Sequence, residues 1–170
     1  MQKAVATGWS GLNIALHWLV VILVIVQWLE GDFMGHLWHA AKDNRPVGQT
    51  TAFLGYFHIV IGCVILAAVA ARLADRWIAG RPPHPEGDPL WATWLSTAVH
   101  GLLYAILLLM PVLGLAAWFT GQQSLAHLHT FLWTPLLVLA GLHICGALVQ
   151  HVVFKTPVLA RMVPGLRPPS

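Results

Sequence analysis

Charge is what this sequence has least of. Asp, Glu, Lys and Arg make up 9% of its 170 residues, against 58% hydrophobic types, and the mean hydropathy is +0.72. A water-facing domain carries about a quarter charged residues. Too little polar surface exists to clothe a soluble globule, which excludes a soluble enzyme, a disordered chain and a nucleic-acid binder together. The net charge of +3, from nine basic and six acidic residues, marks no basic patch. Cysteine is scarce as well. Cys63 and Cys145 stand inside apolar runs, which suits small hydrophobes and not a disulfide framework. Hydrolytic machinery is missing too: no Ser-His-Asp set and no Gly-rich phosphate loop is present. Histidine runs the other way. There are ten, more than all the acids.

Gaps between charges set the expected topology. No Asp, Glu, Lys or Arg occurs over Ala4–Leu29, Pro46–Ala71 or Pro89–Phe154. Each of the first two gaps holds one span of about 20 apolar residues with flanks. The third is more than twice as long and is divided by the polar, turn-forming Thr120-Gly121-Gln122-Gln123-Ser124, so it holds two. The expectation is an all-α bundle of four transmembrane helices near 11–31, 52–75, 93–118 and 130–154, forming a single domain over 1–170. The first apolar run is too long for a signal core and no small-x-small site follows it, so it reads as a retained span. Arg81-Pro82-Pro83-His84-Pro85 reads as an extended connector, and Pro164 to Ser170 as a loose tail.

Basic residues set the expected orientation. Lys3, Arg72, Arg76, Arg81, Lys155, Arg161 and Arg167 fall on one side of a four-span chain, and Lys42 and Arg45 on the other. The positive-inside bias places both termini in the cytoplasm. Most tryptophans fall near the span ends as an interfacial belt; Trp18, deeper in the first span, does not.

Imidazoles in hydrocarbon are costly and therefore mark function. His17, His58, His100, His143 and His151 lie in or at the edge of the spans, with His129 at the start of the fourth. His129 and His143 are 14 residues apart, close to four helical turns, so they project from one face about 21 Å apart along the axis. Depth then selects partners: His58 for His129 near the outer surface, and His17 for the deeper His143. Two imidazoles without thiolate or carboxylate suit zinc poorly. They suit a heme, whose macrocycle supplies four nitrogens and leaves two axial positions. No C-x-x-C-H occurs, so the heme is expected to be non-covalent, of b type. Gly55 and Gly62 flank His58, and Gly141 and Gly146 flank His143, as room for a macrocycle or as ordinary helix packing. Arg72 lies 14 residues after His58 at the inner end, placed for a propionate of the inner heme or as an interfacial anchor. His100 and His151 stay open between axial ligand, propionate partner and quinone contact.

The ordered motifs resemble the bacterial cytochrome b561 family over nearly the whole chain. They are Leu12-Asn13-Ile14-Ala15-Leu16-His17-Trp18, Arg45-Pro46, His58-x-x-x-Gly62 with Arg72, and His100-Gly101-Leu102-Leu103-Tyr104. Met110-Pro111-Val112-Leu113-Gly114, Gly141-Leu142-His143, His151-x-x-x-Lys155 and Leu159-x-Arg161-Met162 complete the set. The stretch Val47 to Phe57 is longer than the compact family pattern. The resemblance implies a diheme membrane cytochrome with two heme b groups, in the bacterial inner membrane, exchanging electrons with the quinone pool. Its axial positions match His17 and His143 for one iron, and His58 and His129 for the other. Superoxide is a candidate donor, steered by Lys42, Arg45, His36 and His39, although these also read as ordinary loop residues. The alternatives are an anchor subunit fed by a partner dehydrogenase or hydrogenase, and a His-rich metal transporter. The transporter reading expects acids inside the spans, and the spans are expected to hold none.

Overall fold

The computed structural model describes residues 8–80, 82–83 and 89–168. Lys3, Arg81, His84 and Pro85, used above for orientation and for the connector, lie outside the described residues. Among the described residues every regular element is helical: α1 (Gly11–Lys42), α2 (Gln49–Ile78), α3 (Leu90–Thr120), α4 (Gln123–Phe131) and α5 (Trp133–Val152). Among these residues four helices are long and apolar enough to cross a membrane, with α4 and α5 together forming the fourth.

The helices outrun the sequence expectation. α1 runs to Lys42 instead of ending near residue 31. At 1.5 Å per residue its 32 residues reach about 48 Å, well beyond a hydrocarbon core of roughly 30 Å. Glu30 and Asp32 therefore mark no helix end. The extension continues because Leu37, Trp38 and Ala40 bury one of its faces. α2 begins at Gln49, so most of the long Val47–Phe57 stretch is helix and His58 lies nine residues inside.

The fourth span breaks at Leu132. Pro135 is the cause: it has no N–H for the Phe131 carbonyl, and its ring crowds that carbonyl. The ladder resumes at once, with Leu136 N–H donating to Leu132 at 3.0 Å, so the helix direction is largely kept. Gly121 ends α3 with φ 67°, a left-handed cap that permits the tight turn into α4.

α1 packs along α2, α2 along α3, and α3 against both α4 and α5. The buried core is small, made of Val20, Ile61, Ile65, Ala68 and Val69, and is closed by Tyr104, Leu107 and Leu108 from α3. A polar clasp locks α1 to α2 near the termini. Asn13, 1% exposed, donates to the Asp75 carboxylate at 3.0 Å and to the Arg72 carbonyl at 3.2 Å. Its own carbonyl accepts from Arg72 Nε and Nη2, both at 3.3 Å. Ser10 caps α1 by accepting from the Asn13 N–H and donates to Asp75 at 2.7 Å, a cap contributing about 1 kcal/mol.

The chain beyond α5 is partly tied down. Trp18 Nε1 donates to the Met162 carbonyl at 2.9 Å, and Arg161 donates to the Pro83 carbonyl at 2.9 Å. That bond explains Trp18's departure from the interfacial belt: its indole N–H serves the C-terminal segment. Residues 164–168 are exposed.

Candidate functional site

Two pairs of histidines meet across the bundle. His17 of α1 faces His143 of α5 with ring centroids 6.1 Å apart, and His58 of α2 faces His129 of α4, also at 6.1 Å. α1 and α2 do not pack closely on α4 or α5 among the described residues. The imidazoles thus span an interval between two halves of the bundle. The His17–His143 pair lies toward the end carrying the chain termini, and the His58–His129 pair toward the opposite end.

The spacing suits one metal atom per pair. With metal–nitrogen bonds of roughly 2 Å, each ring centroid stands about 3 Å from the metal, giving about 6 Å between two rings gripping it from opposite sides. His100 also approaches His143, at 4.9 Å, too close for the two to share a metal in that way. Its Nδ1 donates to the Ser96 carbonyl at 2.6 Å. Among the described residues no group of three or more His, Cys, Asp or Glu is arranged as a cage for a bare metal ion. The donor set therefore fits a group that brings its own equatorial ligands, as a heme does.

The opposite-end pair is held with unusual completeness. His129 Nδ1 donates to the Met110 carbonyl at 2.7 Å. The ring reaches that carbonyl because Gly114, one turn further along α3, has no side chain; a Cβ there would stand 3.0 Å from both Cε1 and Nδ1. Gly114 thus belongs to a seat for His129, and Nε2 is the ring nitrogen left clear of that bond. On the other side, His58 Nδ1 lies 3.0 and 3.1 Å from the two carboxylate oxygens of Glu30. Gln27, one turn before Glu30, donates to the His58 carbonyl at 3.1 Å.

Glu30 was missed by reading charges as span ends, and it corrects the statement that the spans hold no acid. Helical spacing carries the missing signal. Val20, Leu23, Gln27 and Glu30 recur at three- and four-residue steps, and Val20 and Leu23 pack in the core with α2 residues.

The flanking glycines divide. A Cβ at Gly55 would collide with Leu37 of α1, so this glycine serves helix packing. Gly62 faces Gln27 Nε2 at 3.4 Å, while Gly141 and Gly146 have nothing within 4 Å. The glycine that touches a histidine is Gly114, which the spacing around His58 and His143 did not single out.

Arg72 lies beside the termini-end pair, and its charge acts on both His17 and His143. Two of its donors are taken by Asn13, and its guanidinium lies 5.7 Å from the Tyr104 ring centroid. His151 is half-buried, and its Nδ1 has no hydrogen-bond partner among the described residues. At the opposite end, Arg45 is paired with Asp43 at 2.6 Å, and Lys42 donates to the Gly121 carbonyl at 3.2 Å. His36 and His39 are exposed. Of the two cations at that end, one is thus neutralised, which weakens steering of an anion there.

Comparison with known proteins gives a concordant result. A family model described as prokaryotic cytochrome b561 matches residues 8–165. The chain is 32% identical over 159 residues to a Cereibacter sphaeroides protein named cytochrome b562, covering 92% of this chain and 95% of that one. It is 26% identical over 181 residues to a Yersinia pestis protein named "Probable superoxide oxidase CybB", covering 94% and 97%.

Proposed function

The chain belongs to the prokaryotic cytochrome b561 family, and from that premise we propose that it is a diheme b-type cytochrome linking the quinone pool to a donor on the opposite face. It is a membrane cytochrome b of electron transfer, a multi-pass protein of the bacterial inner membrane. The observation that carries the diheme reading is the duplicate imidazole pair, 6.1 Å in both cases, at two levels of one bundle. His17 and His143 would hold the inner heme, and His58 and His129 the outer one.

The hemes would supply reversible one-electron chemistry at iron. The chain's own contribution is placement and electrostatics. Nδ1 of His58 and of His129 is occupied by Glu30 and by the Met110 carbonyl, which turns Nε2 of each ring toward the ligating role. Arg72, with its unused guanidinium donors, would pair with a propionate at the inner site. Both termini are assigned to the cytoplasm, supported by Arg72, Arg76, Lys155, Arg161 and Arg167 at one end against Lys42 and Arg45 at the other. Superoxide as donor is supported by the name of the Yersinia relative.

Heme quantitation with a redox titration tests the reading. About two hemes per chain are expected. His17→Ala and His143→Ala should each remove one and leave the other; loss of neither would refute the pairing. Reduction assays with quinols and with superoxide then identify the substrates. Co-purification of a dehydrogenase, with little activity of the chain alone, would favour the anchor-subunit role instead.

A further inference from the structure

The electron-transfer reading uses Glu30 as a hydrogen-bond partner of His58 but leaves its charge unexplained. The residue is 5% exposed, and a carboxylate so buried in a helix long and apolar enough to cross a membrane is costly without a partner. Among the described residues its ion pair is with His58 and with no Lys or Arg. The cations nearest in sequence are committed elsewhere: Lys42 to the Gly121 carbonyl, Arg45 to Asp43. An imidazole that ligates a metal through Nε2 is neutral, so the compensating charge must come from the iron centre itself. A bis-imidazole heme core carries one net positive charge when ferric and none when ferrous. A carboxylate one hydrogen bond from the axial ring therefore favours the ferric state, and its pull on Nδ1–H strengthens the ring as a ligand.

The inner pair has different surroundings. No carboxylate is bonded to His17 or His143 among the described residues, and the Arg72 guanidinium is held at that end by Asn13, one helical turn before His17 on α1. A cation favours the ferrous state. The bundle thus places a negative charge on one axial site and a positive charge beside the other.

We propose that Glu30 is the positioning and charge-compensating residue of the outer heme, fixing His58 in its ligating tautomer and holding that heme at a lower potential than the inner one. Transfer from the outer face toward the inner face is then downhill. The proposal rests on His58 being an axial ligand.

The test is a redox titration of the full-length protein, followed by heme absorbance, in wild type and in Glu30→Gln. His143→Ala assigns the outer wave by removing the inner heme. Glu30→Gln keeps size and hydrogen bonding but removes the charge. A 10–100-fold loss of ferric preference is expected, and at about 59 mV per tenfold this raises the outer midpoint by about 59–118 mV. The inner wave should stay in place, and Glu30→Asp, which keeps the charge, should remain near the wild-type midpoint. An outer wave that does not move in Glu30→Gln, or an inner wave that moves equally, overturns the proposal. Should Glu30→Gln shed the outer heme, Glu30→Asp decides: heme retained at the wild-type midpoint supports the role, and heme lost overturns it. A wild-type chain without heme overturns the parent reading and this one with it. Two hemes with an immobile outer wave overturn the role of Glu30 alone.

Discussion

Replacing Gly114 with Ala tests the seat of His129 by the smallest possible change. A Cβ on residue 114 would lie 3.0 Å from both Cε1 and Nδ1 of the ring, whereas carbon contacts relax at about 3.5–4.0 Å. The ring must retreat by roughly 0.5 Å or more. It cannot do so and keep both its 2.7 Å bond to the Met110 carbonyl and its 6.1 Å separation from His58. Overpacking of this kind costs about 1–3 kcal/mol, which corresponds to a loss of roughly 5- to 150-fold in affinity for whatever the pair holds. The assay is heme content per chain at limiting heme, with the midpoint of the outer wave as a second readout. Gly114→Ala should lose outer heme selectively. Gly35→Ala, at an exposed position whose Cβ would meet nothing within 4 Å, should keep both hemes. If Gly114→Ala binds both hemes with wild-type affinity and midpoints, or if the Gly35 control loses one, Gly114 does not seat His129.

Two further outcomes follow from the termini end. His151→Ala should retain both hemes, because His17 and His143 already form a complete pair; loss of one heme would reassign the inner ligands. Asn13→Ala should leave the Arg72 carbonyl and the Asp75 carboxylate without their amide partner, a cost of about 1–3 kcal/mol. Melting in detergent should fall by on the order of 5 °C. An unchanged Tm would show that the clasp between α1 and α2 contributes nothing.

Four spans were legible because a membrane helix announces itself by the absence of charge over a length set by the bilayer, and that length needs no partner to be recognised. The cross-bundle pairs His17 with His143 and His58 with His129 were legible for a related reason. In an up-and-down bundle, position along each helix fixes depth, and rings at one depth can meet. What could not be read was anything that depends on which neighbour a residue faces. Glu30 looked like a span end, since a lone carboxylate reads as a boundary until a partner is known to cover it; the partner, His58, is 28 positions away. Of the glycines flanking His58 and His143, Gly55 faces Leu37 of α1, and the glycine against an imidazole is Gly114, on a different helix from either histidine.

Class and span number were therefore properties of the sequence alone, because the bilayer imposes them on one helix at a time. The partners of the histidines beyond their own pairs came only with the tertiary structure: the Met110 carbonyl for His129, the Glu30 carboxylate for His58 and the Arg72 charge beside His17 and His143. The rotation of each helix about its axis decides such contacts, and that rotation is set by packing across the whole bundle.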